Sequence, residues 1–144
     1  MTDFPQFDSH VAAMMVAADG SGSGGLPGYL GMKIVDVGPG VLACELEVTA
    51  ELLNPFGAAH GGVISALVDH VLGAVCMPVV PLGSWPATSE FKLNFTAPAR
   101  AGTMRAEARI VSLSKRTAIV RVDVTNESRL VGVAQGTVTV MAPR

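Results

Sequence analysis

The chain has 144 residues, enough for one domain with a sizeable buried core. Only 15% of residues are charged and 5% aromatic, the formal net charge is -2, and mean hydropathy is +0.45. That balance, with no basic stripe, makes nucleic acid a poor partner and points to apolar surface closed in an oligomer interface.

Met1 to Asp8 carries Asp3 and Asp8 and no base, the reverse of a signal peptide's basic start, so the expected location is the cytoplasm. A short helix is expected next, capped by Asp8 or Ser9 and running to about Ala18. The Gly/Ser run from Gly20 to Gly25 reads as a flexible connector, which divides the chain into an N-terminal helix with connector (1–28) and a domain proper (29–144).

Met32 to Val37 and Val41 to Thr49 read as a hairpin joined by Gly38-Pro39-Gly40. From about Gly61 to Met77 the apolar residues Val63, Ile64, Leu67, Val68, Val71, Leu72, Val75 and Cys76 recur at helical spacing and predict one long helix with a buried stripe. Asp69 and His70 interrupt this segment and Pro78 breaks it, short of about 20 uninterrupted apolar residues, so no membrane span is expected. The rest reads as strand. Phe91, Leu93 and Phe95 alternate with polar neighbours, then Met104, Ala106, Ala108 and Ile110, then Val120, Val122 and Val124, then the run Val131 to Met141. The order β-β-α-β-β-β-β predicts an α+β domain, one helix cradled in a curved antiparallel sheet. Cys44 and Cys76 lie in apolar patterns and read as reduced core thiols, and His10, His60 and His70 show no metal-ligand spacing.

The chemistry concentrates in Asn54 to Gly73, NPFGAAHGGVISALVDHVLG. At 3.6 residues per turn, Asp69 falls away from the apolar stripe, in line with Gly62, Ser65, Ala66 and Gly73. Small neighbours let a ligand or a second backbone approach this acid, although a lone helical Asp can also simply be solvated. Gly61 and Gly62 stand where the helix begins, where backbone N–H groups lack intrahelical acceptors and the macrodipole is positive. Such a terminus suits an oxyanion, or the glycines end the preceding loop.

The strand order, the Asn54-x-x-Gly57 loop, His60-Gly61-Gly62, Asp69, and the strand ending Asn94-Phe95-Thr96-Ala97-Pro98-Ala99 together resemble the hotdog-fold acyl-CoA thioesterases, most closely the PaaI-type branch. The resemblance runs from about Tyr29 to Met141. It implies hydrolysis of an acyl-CoA thioester without a cofactor, in sites shared between the subunits of a homodimer or a homotetramer. By resemblance, the Gly61 amide and the Asn54 side chain polarise the thioester carbonyl, with Gly62 beside them, and the partner subunit's Asp69 acts as general base or nucleophile. His60 would shape the carbonyl-binding loop. Counting back from Pro98 puts Thr88 where the family often orients the water, with Ser89 facing the other way.

Lys115 and Arg116 in the turn Ser114–Thr117 are candidate contacts for the CoA phosphates, with Arg100 and Arg129 behind them. Leu53, Pro55, Phe56, Val71, Leu72 and Met77 would line an acyl pocket fit for a medium-chain or aryl group. Two alternatives stay open. A hydratase or dehydratase on this fold would use a catalytic His in a different motif, and a non-catalytic acyl-CoA sensor would have no use for Asp69.

Overall fold

The computed structural model describes residues 4, 6–18 and 24–143. Helix α1 (Ser9–Ala17) begins at Asp8, whose carboxylate accepts from the N–H groups of His10 and Val11, as the sequence led us to expect. Residues 20–23 of the Gly/Ser run lie outside the described part. Its last residue, Gly25, does not end a connector but opens a five-residue helix, α2 (Gly25–Tyr29).

The strands are β1 (Lys33–Gly38), β2 (Val41–Val48), β3 (Trp85–Phe95), β4 (Gly102–Leu113), β5 (Thr117–Asn126) and β6 (Arg129–Met141), with the long helix α3 (Gly61–Ala74) between β2 and β3. They form one antiparallel sheet in the order β1-β2-β4-β5-β6-β3. The alternation seen in the sequence sets the inner face. Leu42, Cys44, Leu46 and Val48 meet Met104, Ala106, Ala108 and Ile110, and these meet Ala118, Val120, Val122 and Val124, all buried. Ile64, Leu67, Val68, Val71 and Leu72 of α3 fill that concave side. Charged residues take the outer face, where Arg105 bridges Glu45 at 2.8 Å and Glu107 at 2.9 Å. This is the hotdog arrangement implied by the resemblance.

The helix is shorter than the expected Gly61–Met77. It stops at Ala74, because Pro78 has no N–H to donate back to it, and the chain tightens into a 3-10 turn at Met77–Val79. By length and composition alone, Gly61–Val79 would suffice to cross a membrane; here it is the core helix, with the sheet wrapped around it. Burial pushes the thiols of Cys44 and Cys76 up to about 12, in keeping with core cysteines.

β3 departs from simple alternation. Thr88 pairs with Val138 and Glu90 with Thr137, so Ser89 is an extra residue, a β-bulge. Beyond it Phe91 lies opposite Gly136, and a Cβ on Gly136 would come within 2.7 Å of the Glu90 carbonyl oxygen and the Phe91 Cβ and 3.0 Å of Leu72 Cδ1. Glycine there lets helix and bulged strand close together. β3 is also an end strand of the sheet, and its outer edge is unpaired among the described residues.

Candidate active site

Asn54 opens the loop before α3 and organises it. Its Oδ1 accepts from the N–H groups of Phe56 (2.9 Å) and Ala58 (3.2 Å), while Gly57 takes a left-handed backbone with its N–H on the Asn54 carbonyl at 3.0 Å. With the oxygen committed, the Asn54 Nδ2 donors have no partner among the described residues. Arg100 donates from Nη1 to the Gly57 carbonyl at 3.0 Å, so this cation braces the loop.

His60 is the N-cap of α3, and its Nδ1 accepts from the Gly62 N–H at 2.9 Å. Glycine at 62 accommodates that fold-back, since a Cβ would stand 3.1 Å from His60 Nδ1. The Val63 N–H goes to the His60 carbonyl. Of the first three amides of the helix, therefore, only that of Gly61 has no acceptor among the described residues. The space a Gly61 Cβ would need is taken by the Phe95 ring, 3.0 Å away, so glycine at 61 serves close packing of Phe95 on the helix start. The first turn carries no acid, which leaves its positive dipole uncompensated.

Asp69 is exposed on the small-residue face of α3 and borders a cavity of about 550 Å³. Thr88 lines the same cavity, as do Met15, Ile34, His70, Gly73, Ala74, Met77, Trp85 and Pro86. The acid and the hydroxyl singled out in the sequence are thus brought together within one chain. Asn54 and Gly61 are not part of this cavity. Asp69 stands eight positions after Gly61, about 12 Å along the axis at 1.5 Å per residue.

Of the expected acyl pocket only Met77 reaches this cavity. Val71 and Leu72 are fully buried core, the interior face of the same helix, and Phe56 is 88% exposed at the tip of the Asn54 loop, with Leu53 and Pro55 beside it at the opposite end of α3. Periodicity alone does not separate a core side chain from a pocket wall. Lys115 and Arg116 are exposed in the β4–β5 turn. Thr117, which follows them, pairs with Thr139, and Thr139 pairs with Ala87, placing the turn two strands from the Trp85 end of the cavity, about 10 Å at ordinary strand spacing. Arg129 is exposed at the start of β6.

His70, not among the residues expected at the site, is a cavity residue. It is half-buried, and neither ring nitrogen has a hydrogen-bond partner among the described residues. Burial lowers its pKa from the ordinary 6.5, with the Asp69 carboxylate pulling in the other direction. The available signal was its helical position, one step of 100° from Asp69. No group of three or more His, Cys, Asp or Glu side chains among the described residues is disposed to hold a metal ion.

The family model described as the Thioesterase superfamily matches residues 56–133. The chain is 29% identical over 121 residues to a 1,4-dihydroxy-2-naphthoyl-CoA hydrolase of Listeria monocytogenes serotype 1/2a (strain 10403S), covering 83% of this chain and 98% of the relative. Among solved structures, a mutant of the phenylacetic acid degradation protein PaaI from Thermus thermophilus is 34% identical, with a TM-score of 0.71 and coverage of 78% of this chain and 95% of that one. The E. coli PaaI protein from the phenylacetic acid degradation operon superposes with a TM-score of 0.83, covering 94% and 96% of the two chains at 24% identity, a likeness of fold.

Proposed function

The chain belongs to the Thioesterase superfamily and is a thioester hydrolase, and from that premise we propose that it cleaves a medium-chain or aryl acyl-CoA to the free acid and CoA. The observation that carries this reading is the meeting of Asp69 and Thr88 on one cavity, with a free Gly61 amide and the Asn54 donors at the start of the same helix.

The chemistry divides between the two ends of α3. Attack on the thioester puts negative charge on the carbonyl oxygen, and the Gly61 N–H with Asn54 Nδ2 would receive it. One such donor is typically worth about 2.7 to 4 kcal/mol of barrier. The Asp69 side chain takes the proton of a water held by the Thr88 hydroxyl, or attacks the carbonyl carbon directly to give a mixed anhydride that water then opens. In both routes the thiolate of CoA leaves. His60, spent on the Gly62 amide, fixes the helix entrance, and Gly62 makes room for it.

An axial distance of about 12 Å is too long for one carbonyl to touch Gly61 and Asp69 of the same chain. We therefore assign the complete site to two subunits, Asn54 and Gly61 from one and Asp69 and Thr88 from the other, in a homodimer or a dimer of dimers. The open edge of β3, with Phe95 56% exposed beside Gly61 and Trp85 42% exposed at its other end, is the surface such pairing would cover. In the same reading Phe56, displayed on the Asn54 loop, reaches the neighbouring subunit's substrate, Lys115 and Arg116 meet the CoA phosphates, and the enzyme works in a reducing cytoplasm.

Thiol release from short, medium, long and aryl acyl-CoAs, wild type beside Asp69→Ala, tests the proposal. Hydrolysis by the wild type alone supports it; tight binding with no release from any acyl-CoA would favour a sensor.

A further inference from the structure

We infer that Met15, carried by the N-terminal helix α1, is the end wall that limits how large an acyl group the cavity accepts; this rests on the thioesterase reading above. The cavity runs along the last turns of α3. Asp69 stands at the reacting end, and the next residues of α3 on the same cavity are His70, Gly73 and Ala74, followed by Met77 beyond the helix end. Gly73 and Ala74 keep the floor low: a Cβ built on Gly73 meets nothing within 4 Å. An acyl chain leaving the thioester beside Asp69 can therefore follow the helix until something stands in its way.

Helix α1 contributes Met15 to this lining. It packs on β1 and on the Met77–Val79 turn, and the Asp8 N–H donates to the Pro78 carbonyl at 2.8 Å, tying the start of α1 to that turn. Ala12 is buried against the domain, and Met15, one turn on, lines the cavity, as do Ile34 and Met77. Met14, its neighbour, is 59% exposed and does not line the cavity. The family match begins at residue 56, so this wall is supplied by a part of the chain outside the matched region. Unbranched and soft, a Met end wall yields to shape yet still excludes length.

The test compares wild type, Met15→Ala, Met15→Trp and the control Met14→Ala on an acyl-CoA length series, with binding of the matching non-hydrolysable S-alkyl-CoA thioethers measured in parallel. One methylene in an apolar pocket is worth about tenfold or more in discrimination. Met15→Ala is expected to raise kcat/KM for acyl groups longer than the wild-type optimum by about tenfold relative to that optimum. Met15→Trp should move the optimum to shorter groups, and Met14→Ala should follow wild type. Met15→Phe replaces Met15→Trp if thermal melts show the larger ring does not fold. Unchanged profiles in both folded Met15 variants overturn the wall. Thioether affinities that shift with Met15 while nothing is hydrolysed would uphold the wall and overturn the thioesterase reading. Absence of both hydrolysis and binding would overturn both.

Discussion

Thr88 and Phe91 share one face of β3 although three positions apart, a spacing that puts two strand residues on opposite faces unless the strand carries a bulge. Ser89 is that bulge. Before it, Pro86 and Thr88 face the cavity; after it, Phe91 and Leu93 pack against the core. The hydroxyl of Ser89 meets that of Thr139 on the outer side. Thr88→Val should accordingly lower kcat with little change in KM, while Ser89→Ala leaves turnover intact. Steady-state rates on one good acyl-CoA decide this, and equal losses in both variants would contradict the face assignment.

Asp69 makes no hydrogen bond or ion pair with another described side chain and lies exposed among small residues, so the fold does not depend on it. Asp69→Asn is expected to reduce kcat by at least about 10². Its melting temperature should stay near wild type, as for an ordinary surface substitution within about 0.5 kcal/mol. Turnover retained in this variant would remove the carboxylate from the chemistry.

Shared sites predict complementation. Asp69→Ala and Asn54→Ala chains, each inactive alone, should regain part of the wild-type rate after subunit exchange, because a hybrid dimer holds one intact site. Native mass spectrometry verifies the exchange; hybrids with no activity would argue that each chain supplies both halves.

His70 gives stability a pH dependence. Burial keeps its folded-state pKa below 6.5, so as pH falls through 6.5 the unfolded chain takes up a proton that the native chain refuses. The contribution of a neutral His70 is fully present above about 6.5 and is lost as pH falls from there toward the folded-state value. Melting curves from pH 8 to 5 should therefore show wild type losing stability relative to His70→Asn on the acid side. Parallel curves would mean the imidazole is freely solvated.

Gly136→Ala should destabilise the fold by about 1–3 kcal/mol, the usual cost of overpacking. One of the atoms in the way is a backbone oxygen, that of Glu90, which cannot retreat as a flexible side chain does. A melting temperature equal to wild type would show that β3 has slack at this point.

Much of this architecture was readable because burial imposes a period. The α3 stripe, the alternation of β4 and β5 and the Asp8 cap each follow from a local rule. The bulge at Ser89 has no such mark, since its sequence, Thr88-Ser89-Glu90, would alternate equally well without it. Thr88 was reached through family resemblance, where plain alternation from Phe91 would have turned it outward. Val71 and Leu72 were expected at the acyl group and proved to be core, because the same apolar side chains serve either place. Met15 was out of reach for another reason: α1 is apolar on all sides, so nothing in HVAAMMVA says which residue faces the domain.

The two buried cysteines have a practical consequence. With pKa values near 12 and no exposure, Cys44 and Cys76 present almost no thiolate to solvent near neutral pH while the chain stays folded. A thiol-reactive dye added to the native protein therefore counts liberated CoA against a silent background. Once the sheet opens, two protein thiols become titratable, and the same reagent turns into a reporter of global unfolding. A single cuvette can thus separate a variant that has lost chemistry from one that has lost its fold.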